Sequence, residues 1–179
     1  MRRARSAAEA TDASAAGIRS VNVGRPRTLE FRDGVVSTAS WKSPVSGRVR
    51  VRGVNLDGDD QADREVHGGP DKAVYAYASE DTGWWAQELG RPLEPGTFGE
   101  NLTTFGLDLA GAVVGERWAV GSTVLEVSQP RIPCYKLGIR MGDPMFPRQF
   151  AAAGRPGAYL RIVSEGDIGA GDAIRVLSR

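Results

Sequence analysis

The chain has 179 residues, of which 41% are hydrophobic and 25% charged, and its 23 basic and 22 acidic side chains leave a net charge of +1. That is one ordinary domain, able to bury roughly 70% of its unfolded surface without a disulfide or structural metal. One cysteine, Cys134, and one histidine, His67, exclude a disulfide framework, a zinc finger and a self-contained iron–sulfur site.

The near-neutral charge does not favour nucleic acid as a partner. No apolar run approaches the ~20 residues of a membrane span. The opening MRRARSAAEATDASAAG has an arginine cluster, but Glu9, Thr11 and Asp12 interrupt the apolar core that a secretory signal needs. Residues 1–16 therefore read as a disordered tail before a single domain at 17–179, and the cytoplasm is the default compartment.

Glycine (23) and proline (10) are spread along the chain, which predicts many short elements joined by tight turns, hence a β-rich domain. In chain order, Ile18 to Val23 reads as a strand. Arg48 to Arg52 alternates basic and apolar and should place Val49 and Val51 on one face. Ala73 to Tyr77 reads as a strand. Ser79-Glu80-Asp81-Thr82 reads as the capping region of a helix through Trp84 and Trp85 to Leu89, stopped by Gly90. The tryptophan pair reads as core plus pocket wall. Val124 to Val127, Ala158 to Val163 and Ile174 to Leu177 complete the predicted strands. Two more short helices are predicted, one after Cys134 through Ile139 and one from Pro147 to Ala153.

Four segments carry candidate chemistry. In Ser128-Gln129-Pro130-Arg131-Ile132-Pro133-Cys134-Tyr135-Lys136-Leu137 a strand ends, two prolines force an extended path, and the lone cysteine stands at a helix start. A helix N-terminus with Arg131 and Lys136 alongside favours the thiolate. Such a thiolate is a nucleophile, a persulfide carrier or a soft metal ligand; a cysteine at this position is as readily a buried structural residue. His67 precedes Gly68-Gly69 in a loop where backbone must approach something closely, with Lys72 at its end. Pro95 to Thr104 gathers glycines, Asn101 and hydroxyls that can offer donors to an oxyanion or phosphate. Lys42-Ser43-Pro44-Val45 could hold an anion at a strand end. Neither G-x-x-x-x-G-K-[ST] nor a strand-linked G-x-G-x-x-G occurs, so nucleotide-binding folds gain no support.

These four segments together resemble the MOSC domain, the module named from the C-terminus of molybdenum cofactor sulfurases. The matches run in order through Lys42-Ser43-Pro44-Val45, His67 to Tyr75, Phe98 to Leu102, Ser128 to Leu137 and the closing Glu165 to Asp172. Within that family the chain is most similar to stand-alone bacterial proteins that detoxify N-hydroxylated bases such as hydroxylaminopurine. The resemblance implies a MOSC-type β-barrel with a few short helices. It implies Cys134 as catalytic residue and molybdenum ligand, with the dithiolene of a pterin (molybdopterin) supplying the other sulfurs. By matching position, Lys42, Ser43, His67, Lys72, Asn101, Arg131 and Lys136 are carried over as cofactor-binding residues. The activity implied is reduction of N-hydroxylated compounds or N-oxides. The chain has no flavin fingerprint and too few cysteines for an iron–sulfur relay, so an external flavin or iron–sulfur reductase is the expected partner. The alternatives are a sulfur carrier or cofactor-handling module using a Cys134 persulfide, and a non-catalytic ligand-binding barrel. A homodimer is the default among oligomers.

Overall fold

The computed structural model describes residues 16–62 and 68–178. Strands dominate. In chain order they are β1 (Gly17–Val23), β2 (Arg27–Phe31), β3 (Gly34–Thr38), β4 (Ser43–Pro44), β5 (Arg48–Arg52), β6 (Asn55–Leu56), β7 (Val74–Ala78), β8 (Leu102–Phe105), β9 (Arg117–Val120), β10 (Thr123–Pro130), β11 (Ala158–Ser164), β12 (Gly166–Gly169) and β13 (Ile174–Ser178). Three α-helices interrupt them: α1 (Ser79–Glu88), α2 (Tyr135–Met141) and α3 (Phe146–Ala152). A single 3-10 turn covers Pro70–Lys72.

Eight strands form one sheet in the order β13-β9-β10-β11-β7-β8-β1-β4, antiparallel except for the parallel pair β7–β8. Parallel neighbours need a crossover, and α1 supplies it. Three further strands, β12-β5-β6, and the hairpin β2-β3 pack as separate ribbons. The barrel expected from the family is not a continuous ring of paired strands. The sheet curls until β1 meets the residues leading into β13, at a single bridge between Gly17 and Ala173. Backbone bonds from Ile18 N–H to Asp172 O (2.9 Å) and Ile174 N–H to Ala16 O (2.7 Å) hold that seam.

Period-two alternation is clearest in β5, where Val49 and Val51 are buried and Arg48, Arg50 and Arg52 are exposed. In β7 every residue is buried, because one face packs on the aliphatic core and the other on an aromatic one. The aliphatic core gathers Val21, Val51, Leu102, Trp118, Leu125 and Leu160. The aromatic core gathers Tyr77, Trp85, Phe98, Phe146 and Phe150 between β7 and the helices. Trp85 is thus core, as expected, while Trp84 packs under Arg155 at 4.7 Å.

Helix ends differ from the sequence expectation in detail. Ser79 is the first helical residue of α1 and Ala78 is its N-cap, so no side chain caps that end. The acidic Glu80 and Asp81 in the first turn still complement the helix dipole. The third helix starts one residue early, with Pro147 inside its first turn.

The turn between β12 and β13 is fastened by Arg48, which pairs with Asp167 and with Asp172 (Nη1–Oδ1 2.9 Å). Hydrogen bonds from Arg48, and then one from the Gly169 N–H, hold the Asp172 carboxyl below its usual pKa of 3.8 against partial burial. A depressed carboxylate adds stability that is present above the unfolded pKa and lost as pH falls through the folded one. Asp172→Asn should therefore be less stable than wild type above pH 3.8, with the gap closing below it. Urea midpoints over acid pH check this; a gap constant from about pH 5 to about pH 2 would contradict it.

Candidate functional site

The chain leaving β10 sets the site. Arg131 turns inward and is only 9% exposed. Its guanidinium donates to the Phe98 carbonyl and lies over the Tyr75 ring at 4.7 Å and the Phe150 ring at 5.8 Å. Burial pulls its pKa down, but Tyr75, Tyr159 and Cys134 outweigh that and the group stays charged. Ile132 then points to solvent, and Cys134 is the N-cap of α2, half-exposed and free. The Leu137 N–H donates to the Cys134 carbonyl at 2.9 Å, which starts the helix.

The facing loop, 95–101, is shaped by one buried carboxylate. Glu100 accepts from Gly96 N–H (2.6 Å), Phe98 N–H (3.0 Å) and the Thr103 hydroxyl (3.0 Å). Burial pushes its pKa up despite these donors. Gly96 has φ +86 and lies against the Lys42 carbonyl, where an added Cβ would stand 2.6 Å from the oxygen.

Lys42 forms an ion pair with Asp59; the side chains are 8% and 3% exposed. Burial lowers the Lys42 pKa, and the charge and hydrogen bond of Asp59 oppose it. Asp59 also accepts from the Gly24 N–H (2.8 Å) and from Asn101 Nδ2 (2.8 Å). Asn101 is fully engaged, since its Oδ1 accepts from the Tyr75 N–H at 3.1 Å and its amide also reaches the Asn22 carbonyl at 3.4 Å. Gln61 ties two loops together by donating to the Val54 and Lys72 carbonyls and accepting from the Gly69 N–H at 2.8 Å. The Ser128 hydroxyl lies between the carbonyls of Asp71 and Tyr159 and holds the turn that carries Lys72.

These pieces line one cleft. Lys42, Lys72, Asn101, Arg131, Cys134 and Lys136 all face it, so six of the residues chosen from sequence come together from four separate segments. Ser43 does not line it: it lies exposed on β4, paired with Val23. His67 lies outside the described residues. Sequence reasoning missed Asp59, Gln61, Tyr75 and Tyr159, which also line the cleft. Asp59 sits in the run Asp57-Gly58-Asp59-Asp60, which reads as ordinary turn chemistry, and nothing local marks it as a partner for Lys42.

The cavity measures about 110 Å³, below the roughly 300–1,000 Å³ of small-molecule sites, and it opens directly to solvent. Among the described residues no group of three or more His, Cys, Asp or Glu could hold a metal ion unaided. A thiol with cations around it instead suits a metal that brings its own ligands and an anionic tail.

Fold and site define a β-rich domain whose cleft brings one thiol together with lysine and arginine side chains. The chain belongs to the MOSC domain family, whose family model matches residues 63–175. It is 39% identical over 160 residues to the uncharacterized protein YflK of Bacillus subtilis (strain 168), covering 89% of this chain and 72% of YflK. It is 34% identical over 152 residues to a protein named Reductase of Gibberella moniliformis, covering 82% of this chain but 27% of that protein. The crystal structure of YiiM from Geobacillus stearothermophilus superposes with a TM-score of 0.74 at 35% identity, covering 92% of this chain and 76% of YiiM. No helix among the described residues is long and apolar enough to cross a membrane.

The Lys42–Asp59 pair gives a direct test of the site's construction. Asp59→Asn leaves a buried lysine without its countercharge, and breaking a buried pair in this way costs about 3–5 kcal/mol. The expected outcome is an unfolding free energy lower by that amount in urea titrations, seen as a lower midpoint with an unchanged slope. A loss below about 1 kcal/mol would mean that the pair behaves as an exposed one.

Proposed function

We propose that this protein is a molybdenum-cofactor-dependent reductase of N-hydroxylated compounds such as hydroxylaminopurine, with Cys134 as the protein's ligand to molybdenum. The observation that carries this reading is the convergence of the free Cys134 thiol with Lys42, Lys72, Arg131 and Lys136 on one cleft. Membership of the MOSC family and similarity to a protein named Reductase support it.

The donor set fits the group. A soft thiolate is a suitable ligand for molybdenum held by dithiolene sulfurs, and lysine ammonium groups suit the pterin's phosphate. When bound, the cofactor supplies two-electron oxygen-atom chemistry. The overall reaction is R–NHOH + 2e⁻ + 2H⁺ → R–NH2 + H2O: the N–O bond breaks and the oxygen leaves as water. The chain's part is to hold and orient. Arg131, fixed on Phe98 and Tyr75, places the backbone that carries Cys134. Lys72 and Lys136 bind phosphate, while Asp59 keeps Lys42 engaged at the cleft wall. The Tyr75 and Tyr159 rings, 5.0 Å apart, limit water on one side. A chain with one cysteine cannot carry an iron–sulfur relay, so electrons come from a separate flavin or iron–sulfur reductase.

Protein made in a cofactor-competent host should contain about one molybdenum and one pterin per chain, as expected for a single ligating thiol. It should reduce hydroxylaminopurine with a chemical reductant. Cys134→Ala should lose the metal and the turnover. Retention of both would refute the assignment, and an extra sulfur on the native thiol without metal would point to sulfur carriage.

A further inference from the structure

Next to the cleft, two arginines stack on one indole. Arg27 and Arg140 each lie over the Trp41 ring, at 5.5 and 5.0 Å. Burial lowers the Arg140 pKa, the like charge of Arg27 lowers it further, and the Glu100 carboxylate opposes the shift. Five arginines, Arg48, Arg52, Arg117, Arg155 and Arg161, are each paired with a carboxylate. Among the described residues, Arg27, Arg91 and Arg140 make no ion pair.

Concentrating like charge in this way costs free energy in the free protein and is offset when an anion arrives. The location suggests which anion. Trp41 stands between Ser40 and Lys42, which both line the cleft, and Arg140 does not line it. Arg140 lies four residues past Lys136 on α2, so the two share a helix face about 5–6 Å apart. Arg140 Nε donates to the Thr97 carbonyl (3.3 Å), while Arg131 caps the next carbonyl, that of Phe98. A row of cations thus leads from the thiol out to Trp41. The cleft already has Lys72 and Lys136 for a cofactor phosphate, so a second phosphate site outside it serves another molecule.

We propose that Arg27 and Arg140 around Trp41 bind the phosphate of the substrate, which makes the preferred substrate a nucleotide form of the N-hydroxylated base. This rests on the reductase reading only for the identity of the base; the phosphate site is testable by binding alone.

Adenosine 5′-monophosphate and adenosine serve as probes, titrated calorimetrically into cofactor-loaded protein. The monophosphate should bind about tenfold tighter, and the gap should shrink as salt rises. Arg27→Gln/Arg140→Gln should bring the monophosphate down to the affinity of the nucleoside, and Arg27→Gln alone, at an exposed position, should remove part of the gap. Equal affinities in wild type, or an unchanged gap in the double variant, would overturn the proposal. Pterin content of the double variant separates the two phosphate sources: retained pterin supports a substrate site, and loss of pterin in proportion to the arginines assigns the cluster to the cofactor and overturns it. Failure of the reductase reading shows separately, as absence of hydroxylaminopurine turnover by protein whose binding isotherms still differ.

Discussion

The buried guanidinium of Arg131 is the constraint on which the site depends. A charge that is nine-tenths buried must find partners, and here they include a carbonyl oxygen and aromatic faces. Phe98 belongs to the aromatic core and its carbonyl belongs to the loop that Glu100 shapes. One side chain therefore locks the exit of β10 to both the core and the facing loop. Cys134 stands three residues further on, at the start of α2, and its place in the cleft follows from that lock.

The same arrangement sets the sign of the cleft. Its buried acids are already engaged, Asp59 with Lys42 and two N–H donors, Glu100 with two backbone N–H groups and a hydroxyl. Arg131 donates to the Phe98 carbonyl. Lys72, Lys136 and Asp60 also line the opening, and cations continue along α2 to Trp41. A chain with a net charge of +1 thus builds a local anion-attracting surface, which composition alone conceals.

Much of this was legible in the sequence, for physical reasons that differ by element. Period-two alternation located β5, and the Pro-Arg-Ile-Pro-Cys run located both the strand exit and the helix start, because proline geometry is local. The lone cysteine and the cleft lysines were found by family motif, and the fold brings them together. Asp59 was not legible, because pairing across 17 residues depends on how β4 and the turn after β6 pack. The mode of closure was also hidden, since a seam of a few backbone bonds around the Gly17–Ala173 bridge leaves no trace in side-chain pattern. The arginine pair was invisible for the same reason: Arg27 and Arg140 lie far apart in sequence and meet only over Trp41.

The central claim is that the Cys134 sulfur reaches the metal. X-ray absorption at the molybdenum edge counts sulfur neighbours directly, and it can be applied to wild type and to a Cys134→Ser variant reloaded with cofactor. Loss of one sulfur neighbour in the variant, with the dithiolene sulfurs retained, is the expected result. An identical sulfur shell in the two proteins would contradict ligation by Cys134.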